Sequence, residues 1–67
     1  MMTGREKLLK EIEDFLKDTG MGPSYFGKRS IGSSEVVKRL RSGGNVRLDT
    51  AERIRQFISE RQNERRN

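Results

Sequence analysis

The sequence contains no cysteine, no histidine and no tryptophan, and it has a single proline. Without cysteine there is no disulfide framework. Without cysteine and histidine the usual zinc sites are excluded, so we expect no metal site. The longest apolar runs are pairs of residues, which are too short for a membrane span or a signal peptide. We therefore expect a cytoplasmic protein with no cofactor and no membrane partner.

The same absences leave little material for catalysis. Histidine and cysteine are common acid–base and nucleophilic groups in enzymes, and neither occurs here. No pair of carboxylates converges on a predicted pocket. Only 30% of the 67 residues are hydrophobic, so the core is small and its stability is expected to be marginal. We expect a binding protein rather than an enzyme.

Positive charge is concentrated in the middle third of the chain. Residues 23–48 carry six lysine and arginine residues against Glu35 alone, which gives a net charge of +5. Residues 1–22 carry a net −1 and residues 49–67 a net +1. Clustered positive charge is typical of proteins that bind a polyanion, although it also occurs on ordinary solvated surfaces. The middle third is therefore the first candidate for a nucleic-acid site. If it binds DNA, the expected location within the cytoplasm is the nucleoid.

Two helices are predicted in the first half of the chain, on either side of a glycine-rich turn. Apolar residues recur at helical spacing over residues 5–19, with charged residues between them. Thr3 is the predicted N-cap of this helix, and Gly20 is its predicted end. A shorter helix over about residues 23–30 begins at Pro23, which has no N–H group to leave unpaired.

A third short helix is predicted over residues 33–42, directly after the second. Ser33 is its expected N-cap, and a double glycine is expected to end it. In the loop over residues 43–48 that follows, Val46 and Leu48 are expected to pack back onto the core.

A fourth amphipathic helix is predicted near the end of the chain. Asp49 is its expected N-cap, with Glu52 as the capping-box partner, and the helix is expected to run to about residue 62. Residues 63–67 are expected to form a frayed polar tail, so the single folded domain spans residues 1–62. No strand-like alternation occurs, and the predicted fold class is all-α.

Two short helices joined by a tight turn within the most basic third predict a helix-turn-helix unit. At 100° per residue, Val36, Val37 and Leu40 of the third helix point inward. The side chains expected on the opposite face are Ser34, Glu35, Lys38, Arg41 and Ser42, with Arg39 on the flank. A helix with this outer face can enter the major groove of DNA. Gly27 fits the same arrangement, because a side chain there would hold the two helices apart.

Several spaced residues of this unit form a pattern: Phe26-Gly27, then Val37 and Leu40, then Arg41-Ser42-Gly43. This pattern resembles the phage-repressor-like helix-turn-helix family, the Cro/XRE group of phage and bacterial proteins. The similarity covers about residues 22–58, including the loop and the amphipathic helix after the unit. The turn departs from the family pattern of hydrophobic-Gly-hydrophobic, because this chain has Ser30-Ile31-Gly32 and its glycine comes one position late.

The resemblance implies a small lambda-repressor-like helix-turn-helix domain of four or five helices. It implies a sequence-specific, double-stranded DNA-binding transcriptional regulator, most simply a repressor, that inserts helix 33–42 into the major groove as a homodimer. The residues expected to read bases are Ser33, Ser34, Glu35, Lys38 and Ser42. The residues expected to contact the DNA backbone are Ser24, Tyr25, Lys28, Arg29, Arg39, Arg41, Asn45 and Arg47.

Some alternatives stay open at this point. Glu35 could accept a hydrogen bond from a cytosine amino group, or it could serve only as an acidic residue near a helix N-terminus. The whole domain could instead be a helical protein-interaction module, an adaptor or an antitoxin-like partner, because a fold does not fix a function. No small-molecule ligand is expected. The exposed part of the fourth helix and the residues after Gln62 are the candidate dimer contacts.

Overall fold

A computed structural model describes residues 2–66 and contains, within that range, four α-helices and no strand. The helices are α1 (Gly4–Thr19), α2 (Pro23–Ile31), α3 (Val36–Arg41) and α4 (Leu48–Arg66). Both α3 and α4 pack against α1 and α2. The all-α prediction is confirmed. None of the helices within the described range combines the length and the apolar character that a membrane span requires.

The core is assembled from one apolar stripe of each helix. Among the described residues, the buried hydrophobic side chains are Leu8, Ile12, Phe15, Leu16, Phe26, Val36, Val37, Leu40, Ala51, Ile54 and Ile58. Three rings from α1, α2 and α4 meet in it: Phe15 and Phe26 lie 5.6 Å apart, Phe26 and Phe57 5.5 Å, and Phe15 and Phe57 6.1 Å between centroids. Tilted and edge-on aromatic pairs at these distances are favourable beyond their area burial. The cluster therefore ties three helices together.

The predicted ends of α1 and the start of α2 are confirmed. The Thr3 hydroxyl accepts a hydrogen bond from the Glu6 amide at 3.1 Å, which satisfies one of the free donors at the helix start. Gly20 follows α1 with φ 74°, and its amide donates to the Leu16 carbonyl at 2.8 Å. Pro23 is the first residue of α2, where its missing N–H group costs nothing.

The glycine of the turn directly follows α2, which ends at Ile31 rather than near residue 30. Gly32 follows with φ 76°, and its amide donates to the Lys28 carbonyl at 3.1 Å. The amide of Ser33 donates to the Gly27 carbonyl at 3.2 Å. A left-handed glycine with nested hydrogen bonds is a common way to end a helix. Gly32 therefore ends α2.

Gly27 lies where α2 meets the connection to α3. A Cβ atom at this position would overlap the carbonyl oxygen of Ser33 and would lie 2.9 Å from Cγ1 of Val36. Real Cβ atoms do not approach other atoms so closely. The predicted close approach is therefore confirmed, and its partners are the backbone of the turn and the first residue of α3.

The predicted N-terminus of α3 is wrong. The helix begins at Val36, and Glu35 occupies the N-cap position with φ −105°, ψ 0° and no side-chain capping hydrogen bond. Ser33 does not cap a helix over residues 33–42, because its amide is bonded back to α2 through Gly27 and the chain turns through Ser34 and Glu35 before α3 starts. The connection, rather than the capping preference of serine, sets where α3 begins.

The double glycine ends α3 as predicted. The amide of Gly43 donates to the Leu40 carbonyl at 3.2 Å, and the amide of Gly44 donates to the Arg39 carbonyl at 2.8 Å. These two bonds, together with φ 96° at Gly43, form a Schellman motif. A Cβ at Gly44 would lie 2.6 Å from Cγ of Arg39. The second glycine is therefore needed for the close return of the chain past α3.

Two expectations about the start of α4 are wrong. The helix begins at Leu48, so Asp49 lies inside the first turn, where its carboxylate accepts from the Thr50 amide at 2.9 Å instead of forming a capping box with Glu52. Leu48 is 73% exposed and does not pack on the core. Val46 does pack against the core, as predicted. The earlier start of the helix turns Leu48 outward and leaves Val46 as the apolar anchor of the loop.

Helix α4 continues past its predicted end near residue 62. It reaches Arg66, so the expected frayed tail is helical as far as the description extends, and Met1 and Asn67 lie outside the described residues. The extension is wholly polar in sequence. Local contacts of Arg61 accompany it: an ion pair with Glu64 at 3.7 Å and a guanidinium 5.2 Å from the Phe57 ring centroid.

Candidate nucleic-acid interface

The outer face of α3 brings four predicted site residues together. Glu35, Lys38, Arg39 and Ser42 line one shallow depression. Their positions follow the i, i+3, i+4, i+7 spacing that places side chains on one face of a helix. The opposite face, with Val36, Val37 and Leu40, is buried in the core. Burial of one stripe thus fixes which side chains α3 presents to solvent.

The polar groups on this face are only partly used within the protein. Lys38 and Arg39 are exposed, and neither belongs to an ion pair in the described part of the chain. The carboxylate of Glu35 makes no capping hydrogen bond. The Ser42 hydroxyl donates to the Lys38 carbonyl at 2.9 Å, so its lone pairs remain to accept from a partner. The face therefore offers both donors and acceptors.

Helix α2 adds further positive charge. Lys28 and Arg29 are exposed in its last turns. Tyr25 is 56% exposed, and the Arg29 guanidinium carbon lies 5.9 Å from its ring centroid, within the range of a cation–π contact. Ser24 is exposed in the first turn of the same helix. All four of the predicted backbone-contacting residues on α2 are thus accessible.

The ion pairs of the described residues lie elsewhere. They join Lys10 to Asp14 at 3.2 Å, Arg41 to Glu13 at 2.7 Å, Arg55 to Glu11 at 2.8 Å and Arg61 to Glu64 at 3.7 Å. Each pair involves α1 or α4. Exposed pairs of this kind add little stability, but they neutralise charge locally. The cations of α2 and of the outer face of α3 belong to none of these pairs.

The structure exchanges the expected positions of two arginines. Arg39, expected on the flank of α3, lines the outer depression. Arg41, expected on the outer face, turns toward α1, where Nε and Nη2 donate to the two carboxylate oxygens of Glu13, each at 2.7 Å. The hydrogen bond from Arg41 lowers the pKa of the Glu13 carboxyl, and the same bond raises the pKa of Arg41. Helix periodicity alone could not predict this contact, because it does not show that α1 packs beside α3.

A second contact from α1 reaches the end of α3. Nη1 of Arg5 donates to the Leu40 carbonyl at 3.1 Å, which also accepts from the Gly43 amide at the end of α3. Neither Arg5 nor Glu13 is among the residues that the sequence predicts for the site. The only sequence signal for them is that both border the apolar stripe of α1.

The remaining predicted residues lie around the outer face rather than in it. Ser34 is exposed in the turn before α3, whereas Ser33 is half-buried beside Gly27. Asn45 lines a different depression, shared with the start of α1 and with Leu48, and its side-chain oxygen accepts from the Val46 amide at 2.8 Å. Arg47 is exposed in the same loop.

Among the described residues, no group of three or more acidic side chains is arranged to hold a metal ion. Comparison of the chain with known protein families, with characterised proteins and with solved structures finds no match. The resemblance to the phage-repressor-like family therefore stays a prediction, and function has to be argued from the residues and their geometry.

Proposed function

We propose that α2, the turn at residues 32–35 and α3 form a lambda-repressor-like helix-turn-helix unit that binds double-stranded DNA in a sequence-specific manner. One observation carries this proposal: the outer face of α3 joins Lys38 and Arg39 to Glu35 and Ser42, and none of the ion pairs of the described residues involves them. Lysine and arginine are the commonest guanine-reading residues, and glutamate accepts from the cytosine amino group. A face that reads base edges uses donors and acceptors together.

The dimensions of α3 suit the major groove. With its side chains an α-helix is about 10–12 Å in diameter, and the major groove of B-DNA is about 12 Å wide. The small side chain of Ser34 permits close approach of the helix start. In this pose Lys38 donates to a guanine edge and Glu35 accepts from a cytosine, while Ser42 lies one turn further along the groove.

Helix α2 and the loop after α3 supply the sequence-independent part of the interaction. Lys28 and Arg29 of α2 and Arg47 of the loop after α3 are exposed cations. We assign them to the phosphates, with Ser24 and Tyr25 as polar contacts at the start of α2. Phosphate contacts fix the register of a protein on DNA and make its affinity depend on salt.

The proposed role is that of a homodimeric transcriptional regulator, located in the cytoplasm at the nucleoid and acting without a small-molecule ligand. One short reading helix covers only a few base pairs, so two copies on half-sites about one helical turn apart would supply the specificity. Beyond Ile58, helix α4 has no buried residue as far as Glu64, and we place the contact between copies on this exposed segment. Repression follows most simply from occupying a promoter and excluding polymerase.

The test is fluorescence anisotropy with the duplex upstream of the protein's own coding sequence, against a scrambled duplex of equal length. Measurements run from 50 to 300 mM salt. Tighter binding to the upstream duplex with a steep loss at high salt is expected, because base contacts add to phosphate contacts. No binding to either duplex at 50 mM salt would contradict the proposal.

A protein-interaction module is the second candidate, and a groove between α1 and α4 favours it. Phe15 and Ile58 lie in this groove, and Glu11, Asp14 and Asp18 line it. Arg55 also lines the groove and pairs with Glu11 at 2.8 Å, but three carboxylates against one cation leave the groove net negative, and an acidic groove suits a basic amphipathic helix of another protein. Binding of such a helix to a protein that ignores both duplexes would favour this candidate.

A further inference from the structure

We propose that Glu13 competes with DNA phosphate for Arg41, so that α1 limits the affinity of the helix-turn-helix unit for the DNA backbone. The inference rests on the proposed DNA-binding function and names a control on that same site. The observation behind it is the ion pair between Arg41 of α3 and Glu13 of α1.

The contact occupies the groups that a phosphate would use. Nε and Nη2 of Arg41 each donate to one oxygen of Glu13 at 2.7 Å. Arginine binds carboxylate and phosphate through the same planar pair of parallel hydrogen bonds. A phosphate oxygen pair can therefore take this edge of the guanidinium only after the carboxylate has left it.

The pair is accessible to such an exchange. The side chain of Arg41 is 47% exposed and that of Glu13 is 39% exposed, so neither ion is sealed in the core. Arg41 follows Lys38 by three residues, and three-residue spacing makes side chains neighbours on a helix. When Lys38 reaches a base, the DNA backbone that borders the groove is thus close to Arg41 and to the competing carboxylate.

The position of α3 does not depend on this pair. Val36, Val37 and Leu40 are buried in the core, and Arg5 independently bonds the Leu40 carbonyl. Removing the charge of Glu13 therefore frees the guanidinium and leaves the reading helix in place. Because phosphates carry no sequence information, the freed cation raises the affinity for every duplex rather than for one sequence.

The experiment compares the wild-type protein with Glu13→Gln, Arg41→Gln and the double variant, using a labelled duplex of mixed sequence. Asp14→Asn is the matched control: it removes one negative charge from the adjacent position of α1, where Asp14 pairs with Lys10 rather than with a residue of α3. Thermal melting of each variant verifies that it is folded. Dissociation constants are measured from 50 to 200 mM salt.

Glu13→Gln is expected to bind more tightly than the wild type, with a salt slope steeper by about 0.9 for one added phosphate contact. The ratio of its affinity to that of the wild type should then fall about 3.5-fold between 50 and 200 mM salt. Arg41→Gln in the wild-type background should leave the slope unchanged, and in the Glu13→Gln background it should abolish the gain. Asp14→Asn should leave the slope at its wild-type value.

Three results would overturn the inference alone while the protein still binds DNA. Equal gains from Glu13→Gln and Asp14→Asn would reduce the effect to net charge. Weaker binding by a folded Glu13→Gln variant at an unchanged slope would make Glu13 a positioning residue only. A slope reduced by about 0.9 in Arg41→Gln would mean that Arg41 already binds phosphate. Absence of wild-type binding at 50 mM salt would overturn the proposed function and the inference together.

Discussion

At the scale of single residues, the proposed specificity depends most on Lys38. Its side chain is exposed within the depression on α3, beside Glu35 and Ser42. It belongs to no ion pair in the described range. Lys38 lies in the first turn of α3, where its side chain can reach into a groove that the helix enters, so its ammonium group is the strongest candidate for a base contact.

Replacing Lys38 by alanine should cost about 1–3 kcal/mol of binding free energy and relax specificity at one base pair. The measurement is a set of dissociation constants for duplexes that carry each single base change in the preferred site. Lys10→Ala serves as the control, since Lys10 pairs with Asp14 on α1. A loss that is uniform over all duplexes would reassign Lys38 to the DNA backbone.

The pair of Glu13 and Arg41 predicts a pH dependence of stability. The hydrogen bond from Arg41 holds the pKa of the Glu13 carboxyl below its usual range. A group with a lowered pKa in the folded state stabilises that state above its unfolded pKa, about 4.3 for glutamate, and loses this effect as the pH falls through the folded value.

The melting temperatures of the wild-type protein and the Glu13→Gln variant should therefore converge on acidification. The wild type should be the more stable near pH 6, and the difference should shrink steadily below about pH 4.3. Melting curves followed by circular dichroism measure both. A difference that stays constant from pH 6 to pH 3 would contradict a contribution of the ionised carboxylate.

At the scale of helices, the sequence predicts which helices exist better than where they begin. Apolar periodicity and the glycines locate all four helices of the described range and nearly all of the core. The predicted starts of α3 and α4 are wrong because Ser33 and Asp49 are good caps by type, whereas the backbone bonds of the preceding turn and loop decide the first residue. Capping preference is worth about 1 kcal/mol, and tertiary placement of the chain outweighs it.

The candidate site shows the same division. One helical face suffices to group Glu35, Lys38 and Ser42, because only the period of α3 is needed. The exchange of Arg39 and Arg41 could not be predicted in this way. It depends on Glu13 of α1, twenty-eight positions away in sequence, and therefore on how two helices pack.

The close packing of α2 on the start of α3 at Gly27 can be tested by substitution. Replacing Gly27 by alanine should destabilise the fold by about 1–3 kcal/mol, since an inserted methyl must displace well-packed neighbours. The methyl would meet the Ser33 carbonyl oxygen and Val36. The loss would exceed the gain in helix propensity from alanine, which is about 1 kcal/mol.

Chemical denaturation followed by circular dichroism measures this loss. Gly4→Ala is the matched control, because a Cβ at Gly4 meets nothing within 4 Å. The control should unfold at the wild-type midpoint or above it. An unchanged midpoint in Gly27→Ala would contradict the close approach of the α2 helix to the start of α3.

At the scale of the whole molecule, cations and carboxylates are unevenly distributed among the helices. The ion pairs of the described residues all include α1 or α4, and the groove between these helices is lined by carboxylates. In the same part of the chain, the exposed cations of α2, the outer face of α3 and the following loop belong to none of these pairs. The three phenylalanine rings connect α1, α2 and α4 beneath. Lys7, Lys17 and Arg53 on α1 and α4 are also exposed outside these pairs, so what distinguishes the proposed polyanion site is the excess of cations in residues 23–48, six against Glu35 alone.

The most direct test is an NMR titration of the uniformly ¹⁵N-labelled protein with a DNA duplex, because phosphate contacts at low salt form on a duplex of any sequence. Backbone amides of Lys28, Arg29 and residues 34–42 should shift at low salt, while those of residues 10–18 on α1 and the adjoining part of α4 should stay nearly unchanged. Shifts confined to the groove between α1 and α4, or no shifts at all, would contradict the assignment of α2 and α3 as a DNA-binding unit.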